Sequence, residues 1–330
     1  MNEPIRLGLL RLCDAAPVIL AKHEGLFAEA GLEVALSVEP SWANIADKLA
    51  YNMLDGAVML PPLAMACAAG LRGRKVALAV PMSLSAEGNS VTLSTACQEL
   101  FDQHGMAGLV ARKRLRLAVV HGFSSHDLLL RHWLAAQGGR PDQDVEITVL
   151  PPAEMVGSLA AGAIDGFCAG APWGLVAAKA GMGFTACRSR DIWPGHPEKC
   201  LALQADFVTT APERLNLMLQ VLLRAQRECA APESRAKLGA LLERPEYLDL
   251  PADLLAEALD SAEGGPSFTT PYPSVAQAQW YARQMRRWGK APAGLEDVTA
   301  QLYRPDLFLC AGGEWEKDAP PPLEVTCEQI

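Results

Sequence analysis

The segment at 191–200, DIWPGHPEKC, combines side chains that can bind an anion with residues that restrict the backbone. Two prolines and a glycine make it unsuitable for a regular helix, and we interpret it as a rigid, irregular turn. A lysine held still in such a turn can neutralise one oxygen of a bound anion, so Lys199 is the first candidate for ligand binding. We interpret His196, in the same turn, as structural and as a weaker candidate.

Two predicted helix starts supply further groups for an anion. In EPSWANIADKL, Ser41 is a suitable N-cap and Trp42 is the first helical residue; in HGFSSHDLLLRHW, Ser124 or Ser125 caps a helix that His126 opens. Helix N-termini offer free N–H groups and the positive end of the helix dipole. With Trp42 as a flat apolar wall and His126 as a donor, these parts predict a site for a small planar oxyanion.

Each of these three residues also has an ordinary structural explanation. Trp42 alone is more often an anchor of a core or an interface, His126 a helix-start residue satisfied by solvent, and Lys199 an exposed turn residue. The prediction of an anion site therefore depends on the three side chains converging in one cleft.

The chain contains the same succession of elements twice, and this repeat would create such a cleft. Three stretches of the first half correspond in order to three of the second: LGLL (7–10) to LAVV (117–120), EVALSVEP (33–40) to VEITVLPP (145–152), and DKLAYNMLDGAVM (47–59) to GSLAAGAIDGFCA (157–169). Asp55 and Asp165, like Gly56 and Gly166, lie 110 positions apart. Because strands and helices alternate in each half, we predict an α/β protein with two similar lobes and a ligand cleft between them.

The boundaries of the lobes follow from the repeat. We assign residues 1–93 and 190–330 to lobe one and residues 94–189 to lobe two. Beyond about residue 190 the pattern is mostly helical, as in RLNLMLQVLLRAQREC and SVAQAQWYARQMRRWG, so lobe one includes C-terminal helices. The stretch DAPPPLEV near the C-terminus is predicted to run along the surface.

Composition and termini argue against several classes of protein. A net charge of −9 without a long basic stripe disfavours direct binding to nucleic acid or to an anionic membrane. The nine cysteines include no CxxC pair, which predicts free thiols in a reducing cytoplasm rather than a zinc site or a disulfide framework. The N-terminus, MNEPIRLGLLRL, does not have the regions of a signal peptide, and no apolar run approaches the ~18 residues of a membrane span. We therefore expect a cytoplasmic protein.

Catalytic motifs are missing from the sequence. It contains no GxSxG, HExxH, Walker or GxGxxG pattern, and nothing in it supplies a base for Cys200 beside Lys199. We therefore predict a binding protein rather than an enzyme, with no cofactor and no metal.

Five stretches over roughly residues 5–210 carry a resemblance to a known family: SWANIADKL, EGNSVTLS, SSHDLLLRHWLAAQGG, VLPPAEMVGSLAAGAIDGFCAGAPW and DIWPGHPEKCL. Together they resemble the substrate-binding proteins of nitrate and bicarbonate ABC importers (NrtA/CmpA type). The resemblance implies the periplasmic-binding-protein type II fold, in which two α/β lobes, joined by two crossing strands, close on a ligand.

The resemblance also implies which residues contact the anion: Trp42, Asn89, His126, the backbone near Pro152, and Lys199. The nitrate branch carries a lysine at the position of Lys199, whereas the bicarbonate branch is acidic there and recruits calcium. Lys199 therefore implies nitrate or nitrite as the ligand, without a metal.

Two features differ from the importer proteins and imply a different branch. Those proteins carry a leader and a lipid-anchoring cysteine, and their GEPW motif is GAPW here, with Ala171 in place of the glutamate. The cytoplasmic nitrate/nitrite sensors of the NasS type resemble the importer proteins without a leader. They sequester an RNA-binding antiterminator (NasT type, an ANTAR-class regulator) until the anion binds. We therefore expect a cytoplasmic nitrate/nitrite sensor with such an antiterminator as its partner.

Two other classes of function remain open. The chain could be the binding component of a nitrate or bicarbonate importer, or a solute-binding regulatory domain attached to an importer's ATPase. Some relatives of this two-lobed fold are instead enzymes that make a thiamin pyrimidine precursor with a cysteine-rich motif and iron. The present sequence shows no such cysteine cluster.

Overall fold

The computed structural model describes residues 3–314. Its strands are β1 (Ile5–Leu9), β2 (Val34–Val38), β3 (Gly56–Met59), β4 (Leu78–Glu87), β5 (Asn89–Ser94), β6 (Leu115–Val119), β7 (Val145–Val149), β8 (Gly166–Gly170), β9 (Gly183–Arg188), β10 (Pro197–Gln204) and β11 (Pro266–Ser267). Its helices are α1 (Ala16–His23), α2 (Leu26–Glu29), α3 (Trp42–Ala50), α4 (Pro61–Ala69), α5 (Gln98–Val110), α6 (Ser125–Ala136), α7 (Pro152–Ala160), α8 (Trp173–Lys179), α9 (Ser189–Ile192), α10 (Ala205–Thr210), α11 (Pro212–Ala230), α12 (Arg235–Leu242), α13 (Ala252–Ala258), α14 (Val275–Arg287), α15 (Leu295–Leu302) and α16 (Pro305–Cys310). The stretch DAPPPLEV (318–325) lies outside the described residues.

The strands form two sheets of related order. Within residues 3–314 the first sheet runs β11-β4-β10-β3-β1-β2 and the second runs β7-β6-β8-β5-β9. In each sheet the first strand of the repeat lies between the second and the third, and all three are parallel. Helices connect these parallel strands, as parallel pairing requires. The prediction of two similar α/β lobes is confirmed.

The repeat also explains why an Asp-Gly pair precedes the third strand of each lobe. The carboxylate of Asp55 accepts hydrogen bonds from the backbone N–H and the guanidinium of Arg6. Asp165 does the same for Arg116 in the other lobe. Each aspartate therefore ties the start of its third strand to the first strand beside it.

The chain crosses between the sheets twice. It leaves the first sheet at the end of β4 and enters the second at β5; it then returns after β9 into β10, which pairs with β4. Gly88 lies at the first crossing with φ +82°, a conformation that favours glycine. Our division of the chain into lobes at residues 93 and 190 remains a prediction. Strand pairing places β5 (Asn89–Ser94) in the second sheet.

The C-terminal helices pack mainly on the first lobe but reach the second. Helix α11 packs on α1, and α14 packs on both α4 and α6, which belong to different lobes. A separate apolar core in the second lobe includes Leu117, Leu130 and Trp133. In the described part of the chain, no helix is both long and apolar enough to cross a membrane.

Candidate functional site

The structure places Lys199 in a strand and not in the turn that we expected. The irregular part of the segment ends at His196, and Pro197 begins β10, a position that proline tolerates because the first residue of a strand need not donate to the ladder. The Lys199 side chain is fully buried. Its Nζ atom lies 2.8 Å from Oδ2 of Asp14 and 2.6 Å from Oε1 of Glu198. It also lies 5.5 Å from the centre of the Trp42 ring.

An irregularity in β10 brings Glu198 and Lys199 to the same place. Successive side chains of a regular strand point to opposite faces of the sheet. The pairing of β10 with β4 shifts register on both sides of Lys199, between Pro197 and Lys199 and again between Lys199 and Cys200. Bulges of this kind redirect side chains and are common beside functional sites. Here the bulge lets two neighbouring residues of opposite charge share one buried cluster.

Glu198 is the centre of this cluster, and its carboxylate is fully buried. Its Oε2 atom accepts a hydrogen bond from the Asn89 side-chain amide at 2.7 Å, and Oε1 accepts one from the Ser125 hydroxyl at 2.8 Å. The Nε2 atom of His126 is 3.7 Å from Oε1, and Nδ1 of His196 is 3.8 Å from Oε2. The site therefore joins β10 of the first sheet to β5 and α6 of the second lobe.

The charges of the cluster follow from burial and from pairing. Burial by itself would lower the pKa of Lys199, but the carboxylates of Asp14 and Glu198 raise it above the ordinary value. Burial raises the pKa of Asp14. Burial also opposes ionisation of Glu198, yet the ammonium group of Lys199 beside it brings its pKa down to about 2. Lys199 is thus a cation already paired with two carboxyl groups.

Burial favours the neutral form of both histidines of the cluster. Burial lowers the pKa of His126 to about 3 and also lowers that of His196. The Nδ1 atom of His196 lies 3.3 Å from both the hydroxyl of Tyr281 and the carbonyl oxygen of Pro197, so this side of its ring contacts the surrounding framework.

Several polar atoms of the cluster have no hydrogen-bond partner among residues 3–314. They are Nε1 of Trp42, Oδ1 of Asn89, both ring nitrogens of His126, and Nε2 of His196. Buried polar atoms are normally hydrogen-bonded, so such a group of unpaired atoms marks where a ligand or water would be accommodated. The indole and imidazole N–H groups are donors, which suits an anion.

The predicted helix starts are observed with one adjustment. The Ser41 hydroxyl accepts from the backbone N–H of Asn44, and Trp42 is the first residue of α3. In the second lobe Ser124 is the cap, and α6 begins at Ser125, so His126 is its second residue. Trp42 and His126 thus stand at helix N-termini from opposite lobes, and both are fully buried.

Pro152 is the first residue of α7 and lies at the boundary between the lobes. It lines a cavity of about 240 Å³ together with Leu10, Arg11 and Glu39 from the first lobe and Glu154 from the second. Of the predicted residues, the structure therefore gathers Trp42, Asn89, His126, His196 and Lys199 around Glu198 and places Pro152 in the wall of this cavity.

Sequence reasoning missed Asp14, Ser125 and Glu198. Asp14 belongs to the loop after β1, and in an open α/β fold the loops at the carboxyl ends of parallel strands line the ligand cleft, so its position was a usable signal. Glu198 gave none, because strand alternation directs it away from Lys199 unless a bulge intervenes. Within residues 3–314, no group of three or more His, Cys, Asp or Glu side chains is arranged to hold a metal ion.

Two α/β lobes with crossing strands and a polar cluster between them are the features of the periplasmic-binding-protein fold. A sequence model of the NMT1-like family matches residues 2–243, and the chain belongs to that family.

Several named proteins are similar to this chain in sequence. The nitrate import ATP-binding protein NrtC of Synechocystis sp. is 34% identical over 333 residues, which cover 92% of this chain and 49% of that protein. The bicarbonate transport ATP-binding protein CmpC of Synechococcus elongatus is 33% identical, with 94% and 49% covered. This chain therefore spans about half the length of these relatives. The nitrate/nitrite binding protein NrtA of Synechocystis sp. is 27% identical, with 98% and 78% covered.

Solved structures agree on the fold. The crystal structure of the periplasmic nitrate-binding protein NrtA from Synechocystis PCC 6803 superposes with a TM-score of 0.89 at 26% identity, covering 94% of this chain and 88% of that one. The alkanesulfonate-binding protein SsuA from Xanthomonas axonopodis pv. citri, at 17% identity and a TM-score of 0.73, shares the fold. The relatives and the NrtA structure are named as solute-binding or transport proteins and not as enzymes.

Proposed function

We propose that this chain binds nitrate or nitrite between its two lobes. The observation that carries the proposal is the set of buried donors on Trp42 and His126, one from each lobe, which have no partner among the described residues and lie in the same cluster as the ammonium group of Lys199. The indole would supply a flat wall for a planar monoanion, and the indole and imidazole N–H groups would donate to its oxygens. The similarity to a nitrate import ATP-binding protein, NrtC, and to a nitrate/nitrite binding protein, NrtA, supports an oxyanion of this class.

Lys199 supports nitrate or nitrite over bicarbonate with calcium, following the resemblance described above. Glu198 beside it is an acidic group, so bicarbonate with calcium belongs in any ligand comparison. The two ligands would need different groups of this cluster, because nitrate needs hydrogen-bond donors and calcium needs oxygen ligands.

At the next level of detail, we propose a cytoplasmic sensor that sequesters an RNA-binding antiterminator when it is empty. An anion held by groups from both lobes favours the closed arrangement, whereas the partner would bind the open one. The two then oppose each other reciprocally, to the extent that the anion prefers the closed form. The net charge of −9 suits a partner with a basic RNA-binding face.

The second candidate is a role in import, either as a binding component or as a regulatory domain attached to an ATPase. One observation favours the regulatory form. The chain is 33–34% identical to half of proteins named as ATP-binding subunits, against 27% to the binding protein NrtA. A regulatory domain and a free sensor would share the anion site and differ in the partner.

Isothermal titration with nitrate, nitrite, bicarbonate plus calcium, sulfate and chloride tests the ligand. The decisive variant is Trp42→Phe, which keeps the aromatic wall and removes one donor. We expect nitrate affinity to fall about tenfold, the usual value of one hydrogen bond to a charged group. Trp280→Phe is the matched control, because its indole nitrogen is also buried without a partner among the described residues but packs against Trp193 and Tyr281. Equal affinities of the two variants would reject the site.

The sensor role has its own test. The protein is purified with its bound partner, and the complex is challenged with saturating nitrate and then nitrite. Release of a basic RNA-binding protein supports the sensor. A complex that survives both anions unchanged contradicts it.

A further inference from the structure

When both of its carboxyl groups are ionised, the buried cluster carries more negative than positive charge before any anion enters. Lys199 is a single cation held between the carboxyl groups of Asp14 and Glu198. The side chains of Lys199 and Glu198 are fully buried, and that of Asp14 is only 5% exposed. A monoanion added to this cluster would raise the excess of negative charge in a place that water cannot screen. Uncompensated charge of this kind is costly, and proteins usually avoid it by changing a protonation state.

His126 is placed to receive the compensating proton, because the carboxyl group of Asp14 is engaged in its ion pair with Lys199. The Nε2 atom of His126 is 3.7 Å from Oε1 of Glu198. In the part of the chain that the structure describes, neither ring nitrogen has a hydrogen-bond partner. An imidazolium at this position could direct one N–H towards Glu198 and the other towards the anion. His196 is less suitable, because its Nδ1 already faces Tyr281 and the Pro197 carbonyl.

The charges around His126 that lie outside its own helix come from β10, from the residue before that strand and from the loop after β1. From β10, Glu198 favours its protonated form and Lys199 opposes it, and His196 just before that strand also opposes it. Asp14, from the loop after β1, acts through its contact with Lys199.

On its own helix, the next residue, Asp127, is already neutralised from two sides. Arg131 binds it at 3.1 Å from one turn further along α6, and Lys290 binds it at 3.0 Å from the C-terminal region. Asp127 is therefore occupied, and Glu198 is the carboxylate left to stabilise a proton on His126.

We infer that Glu198 is a specificity-determining residue that couples anion binding to the uptake of one proton by His126. The inference rests on the proposed function of the same site. The proton comes from solvent and joins the neutral imidazole, so one anion and one proton enter together and the net charge of the cluster does not change. The site thereby accepts a monoanion at a position where two carboxyl groups would otherwise repel it.

Nitrate is the probe of choice because it does not itself titrate near neutral pH. Nitrate is added to weakly buffered protein at pH 6.0, and the acid needed to hold the pH constant gives the number of protons bound. Sodium chloride at equal concentration is the salt control. We expect uptake approaching one proton per nitrate bound, and an affinity that falls by up to tenfold for each unit of rising pH.

Two variants assign the effect. Glu198→Gln keeps the shape of the side chain and removes its charge, so proton uptake should largely disappear and the affinity should lose its pH dependence. His121→Asn is the matched control, because burial also lowers the pKa of His121, to about 4, but its Nδ1 atom accepts a hydrogen bond from the backbone N–H of Phe123. This variant should keep the proton uptake. Merely structural damage by Glu198→Gln would weaken binding without removing the pH dependence, and that outcome would overturn the assignment.

The failure of this inference differs from the failure of the proposed function. Wild-type protein that binds nitrate without taking up a proton overturns the proton coupling alone. Folded wild-type protein that binds neither nitrate nor nitrite overturns the proposed function, and the proton coupling with it.

Discussion

The two lobes repeat the same framework but differ at the ends that meet in the cleft. Away from the cleft, Asp55 holds Arg6 in one lobe just as Asp165 holds Arg116 in the other. At the cleft, the first residue of the second connecting helix is Trp42 in α3 but Pro152 in α7, 110 positions later. The repeated parts stabilise each lobe, and the parts that diverge form the site. A duplicated fold can thus keep its framework while each copy contributes different chemistry.

The largest expected loss of stability comes from removing the buried cation of the site. Lys199→Met leaves the carboxylates of Asp14 and Glu198 buried without a cation, which should lower the free energy of unfolding by about 3–5 kcal/mol. Urea unfolding measures it. Lys237→Met is the control, because Lys237 also contacts two carboxylates, Glu24 and Glu228, each at 2.8 Å, but on the surface. We expect less than about 1 kcal/mol there. Similar losses in both variants would show that burial is not what makes the cluster different.

A smaller loss of stability is expected when the same substitution is made at the equivalent glycine of each lobe. A Cβ added at Gly56 would lie 2.4 Å from the end of the Leu203 side chain, whereas one added at Gly166 would lie 2.7 Å from the backbone oxygen of Thr92. A side-chain end can move, and the backbone of a central strand cannot move as easily. We expect Gly166→Ala to lower the free energy of unfolding by about 2–3 kcal/mol and Gly56→Ala by about 1–2 kcal/mol. Urea unfolding that gives the reverse order would contradict this account of the repeat.

The smallest expected effect is a pH-dependent loss of stability caused by His126, a residue that only the second lobe contributes to the cleft. Burial lowers the pKa of His126 to about 3 in the folded protein, whereas its pKa in the unfolded chain is near the ordinary 6.5, so the unfolded state binds the proton first as the pH falls. Stability that depends on neutral His126 is present above pH 6.5 and is lost progressively below it. At pH 5.5 the loss is about 1.4 kcal/mol relative to pH 8 for one such histidine. Urea unfolding of anion-free wild type and His126→Gln at both pH values should show the variant losing less. An equal loss in both would exclude His126 as the source.

Much of the fold could be predicted because it depends on local patterns that occur twice. The Asp-Gly pairs, the alternating strands and the capping serines Ser41 and Ser124 each report on a few neighbouring residues. A repeat doubles each of these signals and fixes their order. The helix starts that carry Trp42 and His126 followed from these signals with an error of one residue.

The sequence by itself therefore determined two α/β lobes, their helix N-termini and the candidate residues Trp42, His126 and Lys199. Only the tertiary structure decided the electrostatics of the site. The bulge in β10 turns Glu198 towards Lys199, and the loop after β1 brings Asp14 to the same ammonium group from far away in the chain. A strand bulge and a long-range ion pair depend on how β10 registers against β4, which no local pattern in the sequence specifies.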